Sequence, residues 1–185
     1  VEIHAYDSLS FRQSESRPPV DWRDYSSSLY NTLRSAVQRE LVSDVPVGVL
    51  LSGGLDSSTI AALMVDSYPG KVESFTIGFE EGSFDESQHA RKVAQYLNTQ
   101  HNEMILTSKK AVELVGEISS FLDEPFADSS IIPTYLLSRF ARQKVKVVLG
   151  GDGGDELLAG YPTILSHRLI GYYERLVPWA LRAYV

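Results

Sequence analysis

Apolar residues recur along the chain with two different spacings. Between Ser26 and Leu41 they recur every four residues, which places them on one face of a helix. Val47 to Leu51 is instead a short unbroken apolar run, typical of a strand buried on both faces. The alternation then repeats, with further predicted strands at 72–79, 101–107 and 145–149 and further predicted helices at 59–67, 85–97, 108–122, 131–142 and 164–185. Strands alternating with helices predict an α/β fold, a parallel sheet with helices on both faces.

Two details of the predicted helices follow from their side chains. Ser83 or Asp85 would cap the helix after the second strand, because a short polar side chain can accept hydrogen bonds from the free N–H groups of a first turn. In the helix that follows the third strand, the spacing of Val112, Val115 and Ile118 predicts the buried face.

The two ends of the chain are less regular than its middle. Residues 1–25 have no clear period and include Pro18 and Pro19, so we expect a linker there and one domain over 26–185. The tail helix is expected to break at Pro178. Its apolar and aromatic surface is expected to pack on further residues of a longer protein or on a second copy of the chain, as a homodimer.

The composition argues against several classes of function. The chain has 185 residues, and its 24 acids against 17 bases give a net charge of −7, which argues against a nucleic-acid binder. No apolar run approaches the ~18 residues of a membrane span, and nothing near residue 1 resembles a signal peptide. The chain has no cysteine, which excludes disulfides, thiolate metal sites and a cysteine nucleophile within it and fits a reducing, cytoplasmic location.

The first candidate site is the turn Ser52–Ser58, directly after the strand at 47–51. Its glycines allow backbone N–H groups to approach an anion closely, and Ser57 and Ser58 open the next helix, whose N-terminus favours phosphate. Asp56 would repel a bare phosphate, so its presence predicts a Mg²⁺ ion between the two. The turn lacks the lysine of a Walker A loop and the spacing of a dinucleotide fingerprint, and a plain strand–helix turn is the alternative.

The second candidate site is Gly150–Glu156, which follows the last predicted strand. Its four glycines permit close approach of a ligand, and its three acids repel one another unless a cation or a substrate ammonium compensates them. Because the loop follows a buried strand, a metal or substrate site is favoured over a solvated acidic loop. A third acidic segment, 123–130, is equally compatible with a linker and with a functional loop. All three acidic segments are expected to meet at one end of the sheet.

A family resemblance rests on five motifs in series. They are VPVGVLLSGGLDSS, SFTIGFE, DEPFADSS, YLLSR and VVLGGDGGDELLAGY, spread from about Val45 to Tyr161. In this order they resemble the synthetase domain of glutamine-dependent asparagine synthetases, which belongs to the ATP pyrophosphatase (PP-loop) superfamily with its adenine nucleotide alpha hydrolase-like fold. The resemblance implies that ATP adenylates the side-chain carboxylate of aspartate and releases pyrophosphate, and that ammonia then gives asparagine and AMP.

The resemblance also implies roles for individual residues, with ATP and Mg²⁺ as cofactors. The residues implied to hold nucleotide and pyrophosphate are Leu51, Ser52, Gly53, Gly54, Asp56, Ser57, Ser58, Ile77, Gly150, Gly151 and Tyr161. The implied Mg²⁺ ligands are Asp56 and Asp155, and the implied catalytic residue is Asp152. The candidate substrate contacts are Asp128, Ser129 and Glu156.

The motifs depart from the family pattern at three places. Asp152 is a glutamate in many members, and Gly150 replaces a serine found in some. The DEPFADSS segment differs from the segment with threonine and arginine that binds aspartate in better-known members. A synthetase acting on another carboxylate, such as a lactam- or peptide-ring-forming enzyme, therefore stays open, as does a non-catalytic ATP-binding fragment.

The resemblance places part of the enzyme outside this chain. The glutaminase half of the family uses an N-terminal cysteine, and this chain has none. Ammonia is therefore expected to come from glutamine through a glutaminase domain that this chain does not contain. The family's synthetase domain also continues further and supplies a catalytic lysine from its later part, so we expect this domain to be truncated at its C-terminus.

Overall fold

The computed structural model describes residues 21–83, 85–124 and 127–177. The strands are β1 (Val47–Leu50), β2 (Glu73–Phe79), β3 (Gln100–Leu106) and β4 (Val147–Leu149). The helices are α1 (Trp22–Glu40), α2 (Leu55–Ser67), α3 (Ser87–Tyr96), α4 (Ser108–Ser119), α5 (Ile131–Ala141), α6 (Gly154–Leu158) and α7 (Pro162–Leu176). None of the described helices is long and apolar enough to cross a membrane. Most of the predicted linker, 1–20, and the predicted break at Pro178 lie outside the described residues.

All strands of the described sheet pair in parallel, in the order β3-β2-β1-β4. The chain first adds β2 and β3 on one side of β1 and later returns to add β4 on the other side. The strand order therefore reverses between β1 and β4. Open α/β sheets bind ligands at such a reversal, in the crevice beyond the carboxyl ends of the strands.

Helices cover both faces of the sheet, and this prediction is confirmed. On one face, Val49 of β1 is fully buried in a cluster with α1, α2 and α3, which includes Met64 and Ala90. On the other face, Phe75 of β2 is fully buried and packs edge-on against Phe140 of α5, with ring centroids 5.8 Å apart. The close-packed sheet gives the loops at its carboxyl end a rigid base.

Helix α1 begins earlier than the sequence pattern predicts. Its first residue is Trp22 and not Ser26. The cause is Asp21, whose side chain accepts a hydrogen bond from the Arg23 N–H at 2.9 Å and caps the helix. The domain boundary expected between residues 25 and 26 therefore falls inside a helix, and the end of the predicted linker belongs to the domain.

The buried face of α4 is the second difference from the prediction. Ile118 is buried as expected, but Val112 is 74% exposed and Val115 is exposed as well. The buried residue in their place is Leu114, which packs with Ala111 in a cluster that includes β3 and α5. Both sets have helical spacing, so periodicity does not choose between them. Packing against α5 decides which apolar stripe is buried.

A polar network under α3 joins β2 to β3. The Ser74 hydroxyl lies 2.8 Å from Thr99 Oγ1 and 3.0 Å from His101 Nδ1. On the far side of the ring, His101 Nε2 lies 3.7 Å from Glu103, which Arg91 binds through Nε at 3.2 Å and Nη2 at 2.7 Å. Burial lowers the pKa of His101 by more than the Glu103 carboxylate raises it. The fold therefore favours the neutral imidazole.

We predict that His101 makes the stability of the domain depend on pH below the ordinary pKa of the side chain, 6.5. Because the fold favours the neutral ring, the unfolded chain binds more protons as the pH falls, and the free energy of unfolding decreases. The variant His101→Gln does not titrate at this position. In urea unfolding it should lose less stability than the wild type between about pH 7.5 and about pH 5.5. An equal loss in both proteins would contradict this role of His101.

Candidate active site

A cleft of about 840 Å³ opens at the carboxyl ends of β1, β2 and β4, where the strand order reverses. Its lining comes from the loop after β1, the loop after β4 and α6. The ends of β1 and β2, the residue before α3 and one face of α5 complete it. The volume is in the range of small-molecule sites. Both glycine-rich turns singled out in the sequence therefore face the same cavity.

Serine hydroxyls hold the loop after β1 in shape. Ser57 Oγ lies 2.9 Å from Ser52 Oγ and accepts a hydrogen bond from the Ser52 N–H at 3.2 Å. Ser52 Oγ accepts from the Gly54 N–H, also at 3.2 Å. Helix α2 then begins at Leu55, earlier than the predicted Thr59, and no side chain caps it. Its first N–H groups are therefore left for an anion, which a helix N-terminus attracts.

The tip of this loop packs on α3 through Gly53. The φ of Gly53 is +86°, in the left-handed region. A Cβ at this position would overlap the backbone nitrogen of Ala90 and lie 2.6 Å from the carbonyl carbon of His89. Only glycine fits both constraints. Gly53 therefore supports the loop from behind rather than lining the cleft.

The two glycine-rich loops touch each other at Asp56 and Gly154. A Cβ added at Gly154 would lie 2.5 Å from Asp56 Oδ2, so the Asp56 carboxylate packs on the backbone where α6 begins. Asp155 is the next residue and also lines the cleft. Two carboxylates from two loops thus belong to one wall. They fit Mg²⁺, which commonly takes one or two carboxylates and completes its shell with phosphate oxygens and water.

No richer metal cluster is found in the described part of the chain. No group of three or more His, Cys, Asp or Glu side chains there is arranged to hold a metal ion. A closed, all-protein metal site is therefore not what this part of the fold provides. The pair of carboxylates matches a metal held jointly by protein and phosphate.

Glu156 is bound to Tyr161 on the same wall. The Tyr161 hydroxyl donates a hydrogen bond to Glu156 Oε1 at 2.5 Å. This bond lowers the pKa of Glu156 and raises the pKa of Tyr161. The carboxylate therefore stays ionised and the phenol stays protonated around neutral pH. The pair ties α6 to the start of α7, for which Tyr161 is the N-cap residue.

The structure brings most of the predicted site residues together. Those that line the cleft are Leu51, Ser52, Gly54, Asp56, Ser57, Ile77, Gly150, Gly151, Asp152, Asp155, Glu156 and Tyr161. Gly53, Ser58, Asp128 and Ser129 are not among the residues that line it. Ser58 Oγ is buried without a hydrogen-bond partner in the described residues. The ligand contacts expected of these four residues stay predictions.

The described acids of the third segment do not line the cleft. Asp128 Oδ1 accepts a hydrogen bond from the Ser130 N–H at 2.8 Å, at the start of α5, and this bond lowers the pKa of Asp128. The segment leads into α5, whose Pro133 and Leu137 do line the cleft. The expectation that all three acidic segments meet at one end of the sheet stays a prediction.

Some residues that line the cleft are not among the site residues predicted from the sequence. Pro133 and Leu137 of α5 contribute to it, as do Thr76 and Phe79 of β2. Thr76 Oγ1 also donates to the Leu51 carbonyl at 2.5 Å and so ties the ends of β1 and β2 together. The position at the end of β2 is a sequence signal that could have identified Thr76 and Phe79 as candidate site residues. Leu137 lies in the YLLSR motif, which carried no site prediction, and Pro133 lies in none of the motifs, so the packing of α5 is what brings both to the cleft.

The part of the sequence that carries the two loops matches a known family. The family model described as asparagine synthase matches residues 28–183. The chain belongs to the asparagine synthase family. The match spans both glycine-rich loops and the helices around them, so the resemblance carried by the five motifs is confirmed.

Curated relatives carry the same family name. A Methanocaldococcus jannaschii protein with the name of a glutamine-hydrolysing asparagine synthetase 2 is 43% identical over 145 residues, which are 78% of this chain and 28% of the relative. Glutamine-hydrolysing asparagine synthetase 1 of Bacillus subtilis is 34% identical over 176 residues, which are 95% of this chain and 27% of the relative. The chain thus spans a little over a quarter of the length of these relatives.

Solved structures share the fold. The glutamine-dependent NAD⁺ synthetase from Acinetobacter baumannii, in complex with ADP, matches with a TM-score of 0.56 and 23% identity, over 80% of this chain and 29% of that chain. The U34-tRNA thiolase NcsA from Methanococcus maripaludis matches with a TM-score of 0.50 and 19% identity, over 70% of this chain and 46% of that chain. These likenesses concern the fold alone. They confirm the predicted adenine nucleotide alpha hydrolase-like class.

We predict that the contact of Gly53 with α3 is required for the stability of the domain. Gly53→Ala places a Cβ against the backbone of Ala90 at a φ of +86°, so the free energy of unfolding should fall by about 3 kcal/mol. Gly82→Ala is the matched control, because a Cβ there meets nothing within 4 Å. Urea unfolding of both variants checks this. Equal free energies of unfolding for the two variants would show that the contact between the loop and α3 does not stabilise the domain.

Proposed function

We propose that this chain is the ATP-using part of an amide-forming ligase of the asparagine synthetase type. ATP would adenylate the side-chain carboxylate of aspartate and release pyrophosphate. Ammonia would then attack the aspartyl adenylate and give asparagine and AMP. The observation that carries the proposal is the meeting of the two glycine-rich loops at one cleft, in a member of the asparagine synthase family.

The loop after β1 suits the pyrophosphate end of ATP. The uncapped N-terminus of α2 supplies N–H donors and the positive end of a helix dipole. Ser52 and Ser57 supply hydroxyls that already hydrogen-bond each other at 2.9 Å and can turn a proton toward a phosphate oxygen. The loop after β4 faces the same space through Gly150 and Gly151. A Cβ at Gly151 would lie 2.8 Å from the Ser57 nitrogen, so the absence of a side chain there lets the two loops pack together.

The acids of this wall would repel a triphosphate unless a cation accompanied it. Asp56 and Asp155 are the residues that would hold Mg²⁺, since they come from the two loops in contact. The ion would neutralise phosphate charge and so make pyrophosphate a better leaving group. Asp152, at the centre of the second loop, is proposed as the residue that faces the carboxylate being activated.

The protein's contribution is positioning. A carboxylate is a weak nucleophile, and its oxygen must be held in line with the α-phosphorus while pyrophosphate departs from the other side. The resulting acyl adenylate is a good acyl donor, because AMP leaves readily when ammonia attacks. The apolar wall formed by Leu51 and Ile77 would hold the nucleoside and exclude water, which otherwise competes with ammonia for the adenylate.

The nitrogen source is proposed to lie outside this chain. The relatives are named for glutamine hydrolysis, and the chain spans a little over a quarter of their length. It contains no cysteine, so a cysteine-dependent glutaminase cannot be built from it. We propose that a glutaminase domain supplies ammonia to the cleft. A cysteine-free composition is compatible with the cytoplasm as the place of the reaction.

Pyrophosphate release tests the proposal. The longest polypeptide that contains this chain is incubated with ATP, Mg²⁺, ammonia and one carboxylic acid at a time, and pyrophosphate is measured. Release that depends on aspartate, with asparagine as the product, is the expected result. Release that depends only on another carboxylate would contradict aspartate as the substrate. No release with any carboxylate, despite ATP binding, would contradict a ligase function.

Two aspartate variants in α2 distinguish an effect on metal binding from a general effect on the fold. Asp56→Asn removes the charge proposed to hold Mg²⁺, and turnover should fall by about 100-fold. Asp66→Asn removes an exposed charge near the other end of α2 and should leave turnover unchanged. The free energy of unfolding should change little in both. Equal activity of Asp56→Asn and Asp66→Asn would refute the metal-binding role of Asp56.

A further inference from the structure

One carboxylate of the cleft comes from neither glycine-rich loop. Asp56, Asp152, Asp155 and Glu156 all belong to those two loops. Glu86 lines the cleft between the end of β2 and the start of α3. Within the described part of the cleft it is the one charged residue that neither loop contributes.

The backbone at Glu86 is fixed by its neighbour Asp85. Asp85 Oδ1 accepts hydrogen bonds from the Phe79 N–H at 3.3 Å and from the Ser87 N–H at 3.1 Å. Asp85 Oδ2 accepts from the Ser87 hydroxyl at 3.0 Å. Of the two capping candidates named from the sequence, Asp85 is thus confirmed as the residue that binds the first turn of α3. It joins the end of β2 to the start of α3 and holds the residue between them in place.

The surroundings of Glu86 suit a nucleoside better than a phosphate. Ile77 and Phe79, at the end of β2, are apolar and line the same cleft. The donors that attract phosphate, the uncapped N-terminus of α2 and its serines, belong to the loop after β1. The Glu86 carboxylate would repel phosphate and attract hydrogen-bond donors.

The Glu86 carboxylate is free to accept such donors. It forms no hydrogen bond or ion pair with the other described residues, whereas Glu156 is bound to Tyr161. An ionised carboxylate is an acceptor only. In ATP the hydrogen-bond donors are the exocyclic amine of adenine and the ribose hydroxyls, and the triphosphate has none.

We infer that Glu86 is a nucleoside-recognising residue that accepts a hydrogen bond from the exocyclic amine of adenine or from a ribose hydroxyl of the bound nucleotide. This inference rests on the proposed function, because it requires that the cleft binds ATP. It adds a specificity-determining residue that none of the five motifs singles out. Asp85 is the positioning residue that keeps Glu86 at the cleft.

Nucleotide binding to the purified chain tests this inference. Dissociation constants are measured by calorimetry with Mg²⁺ for ATP, inosine triphosphate, 2′-deoxy-ATP, 3′-deoxy-ATP and inorganic triphosphate. Inosine triphosphate replaces the amine donor with an oxygen acceptor, and each deoxy-ATP lacks one ribose hydroxyl. Glu86→Ala should bind ATP about tenfold more weakly, the loss expected for one hydrogen bond to a charged acceptor. Its binding of inorganic triphosphate should not change.

The comparison of ligands identifies the donor. If Glu86 binds the amine, Glu86→Ala loses the preference for ATP over inosine triphosphate. If it binds a hydroxyl, the preference for ATP over the corresponding deoxy-ATP is lost instead. Glu86→Gln keeps an oxygen acceptor and should lie between wild type and Glu86→Ala. Glu81→Ala is the matched control, because Glu81 is an exposed glutamate of the same β2–α3 connection that does not line the cleft.

Two results would overturn the inference while leaving the proposed function standing. One is an unchanged affinity of Glu86→Ala for ATP with all ligand preferences kept. The other is an equal loss for ATP and for inorganic triphosphate, which would place Glu86 at the phosphates. A wild-type chain that binds no ATP would overturn the inference and contradict the ATP site as well. Thermal unfolding of each variant verifies that it is folded.

Discussion

The contact between the first turn of α2 and the first turn of α6 is the constraint on which the site depends. β1 and β4 are neighbours in the sheet, so the loops that leave their carboxyl ends are brought side by side. Asp56 lies against the backbone at Gly154, where any side chain would push the loops apart. Because of this contact, helix N–H groups, serine hydroxyls and carboxylates share one wall. Either loop alone would be a solvated turn.

The charges on that wall act in opposite directions on a nucleotide. The N-terminus of α2 attracts phosphate, whereas the nearby carboxylates repel it. This balance is why the proposed function couples ATP to a divalent cation. Glu156 differs from the other acids, because the hydrogen bond from Tyr161 stabilises its charge without any ligand. The part of the lining that comes from β2 and the residue before α3, with Ile77 and a single carboxylate at Glu86, has a different chemistry and suits the uncharged half of the nucleotide.

The sequence predicts those parts of the site that are encoded locally. A buried strand followed by Ser52–Ser58 or by Gly150–Glu156 is a contiguous signal, and the rule for α/β sheets places both loops correctly. The rest depends on packing between distant elements. Pro133 and Leu137 reach the cleft only because α5 packs across β2, and the same helix decides which face of α4 is buried. Asp128 binds the N–H of Ser130 at the start of α5, a structural role that its place in an acidic segment did not indicate.

Backbone amide shifts on addition of ATP with Mg²⁺ test whether the two loops form one nucleotide site. In two-dimensional NMR spectra of the chain, Ser52–Ser58 and Gly150–Glu156 should shift together, with the same dissociation constant. The surface of α4 at Val112 should stay unchanged, since it is exposed and does not line the cleft. Shifts confined to one loop, different constants for the two loops, or no shift in either would show that the loops do not form a single nucleotide site.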